Sequence, residues 1–495
     1  MLSRNPIAVE GVNRSEGRNW NWLALVFAIL SMLAGGALAY LVGKTGLFSL
    51  LIISIMILIL LAVIRPELAL YGLLFVVYTN LSNVLIYQHG LPSITQPLVG
   101  IVFGIILIRA AVFKDRFHGW RSFALLAVVY GLIGTIALLI AADYESLLFT
   151  SQDYLKDVFI GLEVILLLRT PTHLRRAIWI LLITGLLMGC ITYYQQVTDT
   201  LDNSYWGFGA SKLDTNSGLR LGGPVGDPNT YAQIMAVLIP LALERLWNEK
   251  RPYLRLLALV ILFLCGYAVI FSYSRGGFVA VVLSLLFLAI RRPPRPAVAA
   301  GILGVFIFVF QLFPESYTDR LSTLLYFLPT SEKSVLQERS FQGRSSENLA
   351  ATMIFKDHPL IGVGAGNFNA HYQSYSRRLG IDPRRDPRSA HSLYLEVAAE
   401  RGLLGLAVFF VIVSSAYWSL WRAEKRYLLL GMKEFADLTV ALSAGLTAYL
   451  AAGFFLHDAF IRYFWVLIGL AWAATSISIV VKTHVSSQHS GELLQ

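Results

Sequence analysis

Three stretches of this chain combine the side chains that a group-transfer reaction uses. In DPRSAHSLYLEVAAERG (Asp386 to Gly402), His391 stands just ahead of an apolar, alanine-rich run, with Arg384, Arg385 and Arg388 close upstream. A helix start and nearby guanidinium groups both disfavour a second positive charge, so the imidazole is expected to be neutral. A neutral imidazole is what a general base requires. Glu396 and Glu400 fall four apart on one helical face. A single helix from His391 to Glu400 makes about two and a half turns, which puts these two on opposite faces. A surface histidine in a loop fits the same position.

In SYSRGGFVA (Ser272 to Ala280), Arg275 precedes Gly276 and Gly277 where one apolar run ends and the next begins. An arginine at a bilayer edge is costly unless it snorkels or has a task. Its fork can hold an anionic group while the glycines let a ligand approach the backbone; a snorkelling anchor on a glycine turn is the alternative. LRLGGPVGDPNTYAQ (Leu219 to Gln233) places Arg220 beside a glycine-proline turn and ends in a helix start, with Asp227 or Asn229 as cap. Asp143-Tyr144-Glu145 has acid-x-acid spacing, a weak metal signal that an interfacial anchor explains as well. No P-loop, GxSxG or HExxH occurs.

The elements that must hold these residues cross a membrane. The 495 residues are 56% hydrophobic and 14% charged, and the apolar residues come in runs of bilayer length. Expected spans are 20–42, 46–64, 68–87, 96–113, 122–142, 147–168, 177–197, 229–247, 254–274, 277–290, 297–313, 402–421, 436–456 and 463–481. That is 14 crossings, or 12 or 13 if 46–64 or 277–290 is re-entrant. The first run resembles a signal peptide but is too long, so it reads as an uncleaved span. Cys190 and Cys265 lie in apolar runs, which argues against a disulfide framework or a thiolate metal site. The net charge of +10 reflects basic loops rather than nucleic-acid binding.

Basic clusters at 114–121, 169–176, 248–255, 291–296 and 422–426 fall on the side of the N-terminus, whereas 88–95 and 198–206 are nearly free of them. The positive-inside rule then makes both termini cytoplasmic. The expected organisation is a cytoplasmic tail 1–19, spans within 20–313 interrupted by an external loop 198–229, a large external loop 314–401, spans within 402–481, and a polar cytoplasmic tail 482–495, disordered at its end. The large loop is rich in arginine (Arg320, Arg339, Arg344, Arg377, Arg378, Arg384, Arg385, Arg388 and Arg401). The fold class is an all-α polytopic membrane protein with about 12–14 transmembrane helices.

In order, SYSRGGFVA, DHPLIGVGAGNF (Asp357 to Phe368) and HSLYLEVAAERGLLG resemble the O-antigen ligase and polymerase superfamily of bacterial inner-membrane enzymes, most strongly over about 205–421. The resemblance implies a GT-C-like architecture and a large periplasmic loop late in the chain. It also implies transfer of a glycan from undecaprenyl diphosphate to an acceptor on a lipid or glycan, without metal or cofactor. His391, opening the H-[NS]-x-x-L…E-x-G pattern, takes the place of the catalytic base. Arg275 and Arg220 take the places of the diphosphate-binding arginines. Arg385 and Arg388, with Gly276 and Gly277, are expected at the substrate, and Glu400 and Asn229 as structural support. The resemblance puts a ligase first and a polymerase second, ahead of a protein O-oligosaccharyltransferase. A transporter is the reading from another class; it fits less well, because the candidate charges gather at the outer face instead of mid-bilayer.

Overall fold

The computed structural model describes residues 60–136, 141–214, 218–311, 313–322, 339–379, 388–456 and 462–492. The tail 1–19, the expected span 20–42 and most of 46–64 lie outside these residues. The chain divides into two units, Met1–Arg65 and Pro66–Gln495. In the first, the amide of Arg65 closes a helical turn on the Leu61 carbonyl at 2.7 Å.

The second unit begins with α1 (Pro66–Tyr78) and α2 (Leu81–His89), which meet at 52°. The expected span 68–87 is therefore broken. Asn80 at the break has φ 53°, a left-handed conformation that asparagine tolerates better than most residues. Its side-chain amide donates to the Pro224 carbonyl at 2.8 Å, which pins the bend.

Next come α3 (Thr95–Ala111), α4 (Arg121–Ile136), α5 (Tyr144–Leu167) and α6 (Pro171–Val197). Helices α6, α7 (Pro228–Asn248), α8 (Pro252–Phe271) and α10 (Pro296–Gln311) all open on proline, whose missing N–H goes unused in a first turn. The side chains of Thr170 and Asp227 cap α6 and α7. Of the two capping candidates at the start of α7, Asp227 does the work, accepting from the amides of Asn229 and Thr230. Helix α9 (Arg275–Arg291) precedes α10. After it come α11 (Glu315–Ser322), α12 (Arg339–Asp357), α13 (Phe368–Leu379), α14 (Leu393–Leu429), α15 (Lys433–Ala452) and α16 (Arg462–Glu492).

The centre of the bundle is formed by α7 and α15. Every residue of α7 from Thr230 to Ala242 is buried, as befits a mostly apolar helix packed on all sides. Small residues let α15 come close: a Cβ on Gly445 would stand 3.2 Å from the Val237 carbonyl oxygen.

Several expectations change. Among the described residues, five helices (α6, α8, α14, α15 and α16) are long and apolar enough to cross a bilayer, or six if α1 and α2 count as one broken span. The remaining expected crossings fall on α3 and α4, which are shorter, on α9 and α10 at 17 and 16 residues, and on α5 and α7, which carry internal charges. The architecture is not purely helical either. Within 198–229 an antiparallel hairpin pairs β1 (Ala210–Asp214) with β2 (Gly218–Gly223), placing Lys212 opposite Arg220.

The loop 314–401 holds α11, α12, α13 and the first turns of α14. Part of it has its own small core of Ala350, Ile354, Val363, Phe368, Tyr372 and Ala399. Helix α14 starts at Leu393, just past His391 as expected, and Gly402 (φ 63°, ψ −164°) kinks it nine residues on. The segment expected as a disordered tail after 482 continues α16 to Glu492, since no proline interrupts it.

Candidate active site

The SYSRGG sequence is a tight helix-to-helix turn with a cap at each end. The Ser272 hydroxyl donates to the Val269 carbonyl at 2.7 Å, closing α8. The Ser274 hydroxyl accepts from the Gly277 amide at 3.2 Å, opening α9. Between them Tyr273 is held at φ 52°, a strained conformation for a bulky residue. Arg275 is therefore the first residue of α9, buried at the positive end of the helix. The glycines behind it make room for protein: a Cβ on Gly276 would stand 3.1 Å from Phe455, and one on Gly277 2.6 Å from Ala232.

Three further side chains fasten this turn. Arg220 is buried; it donates through Nε to the Ser272 carbonyl at 2.9 Å and through a terminal nitrogen to Asn229 Oδ1 at 2.9 Å. Tyr317 of α11 donates its hydroxyl to the Ser274 carbonyl at 3.1 Å, and burial raises its pKa, so it stays a donor. Asp214, at the end of β1, lies 3.6 Å from Arg220 and 3.1 Å from Arg320. Asp214 is thus set between Arg220, which holds the turn, and Arg320. Sequence spacing did not single out Arg320, Asp214 or Tyr317 for this place.

His391 sits immediately before Ser392, the residue that precedes the first turn of α14. Its Nε2 is 3.2 Å from Oε2 of Glu347 on α12. The other oxygen of Glu347 is 3.4 Å from Arg388. Glu347 is 1% exposed, so this carboxylate is buried between an imidazole and a guanidinium. Arg388 is anchored further by its amide, which donates to Asn369 Oδ1 at 2.9 Å. The electrostatics expected at His391 came from a helix start and nearby arginines; the structure adds the Glu347 carboxylate. Arg384 and Arg385 lie outside the described residues.

The DHPLIGVGAGNF segment and the Glu400-Arg401-Gly402 kink form one backbone joint. The amides of Val363 and Gly364 donate to the carbonyls of Ala399 and Glu400 at 3.0 and 2.8 Å. Leu403 and Leu404 return amides to Pro359 and Leu360 at 2.8 and 3.2 Å. A Cβ on Gly402 would fall onto the Leu360 carbonyl carbon, and one on Gly362 onto that of Glu400. Inside the joint the buried Glu400 carboxylate accepts from the Phe368 amide at 3.3 Å. Asn367 reaches on to α5, exchanging hydrogen bonds of 2.8 and 3.1 Å with the backbone of Asp143.

Asp143 itself caps α5 by accepting from the Ser146 amide and hydroxyl, and these bonds lower its pKa. Of the acid-x-acid pair, Asp143 is thus occupied with capping, and Glu145 lies in the first turn of α5. Among the described residues no three His, Cys, Asp or Glu side chains gather as a metal site would need.

The two halves of the site meet at the turn after α15. The Leu393 amide, two residues past His391, donates to the Gly453 carbonyl at 2.8 Å. Phe455 of the same turn packs on Gly276, next to Arg275. The starts of α9 and α14 therefore lie at one end of the bundle.

Part of the chain is similar to known proteins. The family model described as O-Antigen ligase matches residues 259–410, a segment that contains Arg275, Glu347, His391 and Glu400. A curated "O-antigen ligase" of Pseudomonas aeruginosa is 23% identical over 286 residues, covering 57% of this chain and 60% of that protein. The alignment thus spans about three-fifths of the relative's length. Over residues 259–410 the chain is thus similar to the O-antigen ligase family, and several of its described helices are long and apolar enough to cross a bilayer.

Proposed function

We propose that the chain transfers a glycan from undecaprenyl diphosphate to an acceptor hydroxyl at the outer face of the inner membrane. The observation that carries this reading is the 453–455 turn, whose contacts with Leu393 and Gly276 tie the segments of His391 and Arg275 to one end of the bundle.

A sugar diphosphate needs its leaving group stabilised as the anomeric C–O bond breaks and the electron pair moves onto the diphosphate. Arg275, at the positive end of α9, is suited to receive that charge, and Arg220 and Tyr317 hold its turn in place. Preorganised cations of this kind require no rearrangement at the moment of reaction. Meanwhile the acceptor oxygen bonds to the anomeric carbon and its proton passes to His391. The resulting imidazolium is matched by Glu347, which also fixes the ring's orientation, as the acid of a Ser-His-Asp triad does for its histidine. Attack from the face opposite the diphosphate inverts the anomeric configuration. Arg388, held by Glu347, would stand beside the incoming acceptor.

The test is reconstitution in lipid nanodiscs with an undecaprenyl-diphosphate-linked glycan and a lipid A-core acceptor. The expected result is one glycan joined per undecaprenyl diphosphate released, with inverted anomeric configuration. Retained configuration, or no consumption of the donor by a folded preparation, would overturn the reading.

A further inference from the structure

At the far end of α9 from Arg275, a cleft of about 430 Å³ opens between α9 and α14. Helix α15 packs against both and forms its floor. Leu288, Val440 and Ala444 make a small apolar cluster beneath it. Phe287 lines one wall, and Tyr417, Trp418 and Trp421 the other. Tyr417 is steadied by a 2.8 Å bond between its hydroxyl and that of Thr447. Ser414, exposed and about two turns deeper than Trp421, marks the inner end.

The mouth of the cleft is basic. Arg291 and Arg292 both pair with Glu424, the latter at 2.9 Å, and Arg292 also holds Asp437 at 2.7 Å. Arg422 and Lys425 are exposed, and each covers an indole of the cleft. The Arg422 guanidinium is 5.0 Å from the Trp418 ring centre, and the Lys425 ammonium 3.6 Å from that of Trp421. The two indoles are 4.9 Å apart, so they form one aromatic shelf carrying two cations. Four cations stand around two carboxylates at this mouth, which leaves an excess of positive charge.

We propose that this cleft binds one anionic glycerophospholipid of the cytoplasmic leaflet. Its phosphate sits between Arg422 and Lys425, and an acyl chain runs along Phe287 and Trp418 toward Ser414. The basic clusters at 291–296 and 422–426 place the mouth on the cytoplasmic side by the positive-inside rule, and tryptophans prefer that interfacial depth. Basic pockets between transmembrane helices on this side suit anionic head groups. The apolar walls favour a lipid over a free phosphate ester, since the latter would leave the indole shelf and Phe287 without a partner. The site is separate from the transfer chemistry and does not depend on it.

The experiment uses the purified full-length chain in detergent, with dioleoyl phosphatidylglycerol, dioleoyl phosphatidylcholine or glycerol 3-phosphate added. Lipid retention is counted by native mass spectrometry, and the melting midpoint is followed. Phosphatidylglycerol is expected to be retained at one per chain and to raise the midpoint, while the other two additions do neither. Removing two cations from an anionic head group should weaken retention roughly 30-fold, so Arg422→Gln combined with Lys425→Gln is expected to abolish it at the wild-type half-saturating concentration. Ser414→Trp keeps every charge but fills the cleft, and it should have the same effect. Equal retention of phosphatidylcholine, a midpoint shift from glycerol 3-phosphate alone, or wild-type retention of phosphatidylglycerol by both variants would overturn the proposal.

Discussion

Nε2 of His391 lies 3.2 Å from Glu347, whose second oxygen faces Arg388 at 3.4 Å. On the proposed mechanism, this buried carboxylate balances the positive charge the imidazole acquires on taking a proton. Glu347→Gln keeps the shape and removes the charge. Turnover should fall roughly 10- to 100-fold, a share of the 10²–10⁴ that general-base catalysis contributes. Because the imidazolium loses its counter-charge, the acid limb of the rate profile should move to lower pH. Measuring kcat/KM from pH 5 to 9 separates this from a folding defect, which would lower the amplitude and leave the limb in place.

Arg275 opens α9 behind the Ser274 cap. Arg275→Lys retains the charge but not the planar two-pronged fork, so glycan transfer should drop about tenfold or more despite conserved charge. If Arg275 holds the leaving group as proposed, the drop should appear mainly in kcat, because such an interaction strengthens as the diphosphate departs. Initial rates over a range of donor concentrations check this, and a change confined to KM would count against a role at the leaving group.

Gly402 takes φ 63° and ψ −164°, a region open essentially to glycine alone, and its α-carbon faces the Leu360 carbonyl carbon across the joint. Gly402→Ala should destabilise the protein by at least ~1–3 kcal/mol from backbone strain, with the clash added. Gly362→Ala strikes the same joint from the other side and should behave alike. Thermal melts of the two variants, and of Gly301→Ala where a Cβ meets nothing within 4 Å, make the comparison.

Asp143 caps α5, and the hydrogen bonds from Ser146 lower its pKa. A depressed carboxylate stabilises the fold at pH above its unfolded value, near 3.9, and that contribution is lost as pH falls through the folded value. Asp143→Asn should therefore flatten the acid side of the stability curve and change little near pH 7 beyond a constant offset. Melting midpoints between pH 3 and 7 test this.

Several helix starts were legible in the sequence for local reasons. Prolines at 171, 228, 252 and 296 mark helix starts, and SYSRGG carries both of its own caps. Glu347 was not legible. It lies 44 residues before His391 on a polar helix, and the pairing arises only when α12 folds against α14. The tasks of Arg220 and Asp214 depend on a hairpin whose strands, ASKLD and GLRLGG, alternate too weakly to announce themselves. The glycines at 276 and 277 looked like space for a ligand because sequence cannot tell which neighbour approaches; the neighbours are Phe455 and Ala232. Expected spans and long apolar helices differ where polar residues sit inside a helix, as at Asp157 and Glu163 of α5, or where a bend hides in one apolar run, as at Asn80.

The most direct test of the central claim is the single-turnover rate of glycan transfer by His391→Ala, purified in nanodiscs and matched to the parent protein in melting midpoint. Loss of the base predicts a rate roughly 10²–10⁴-fold lower with donor binding retained. A rate equal to that of the parent protein would contradict the assignment of His391 as the group that takes the acceptor's proton.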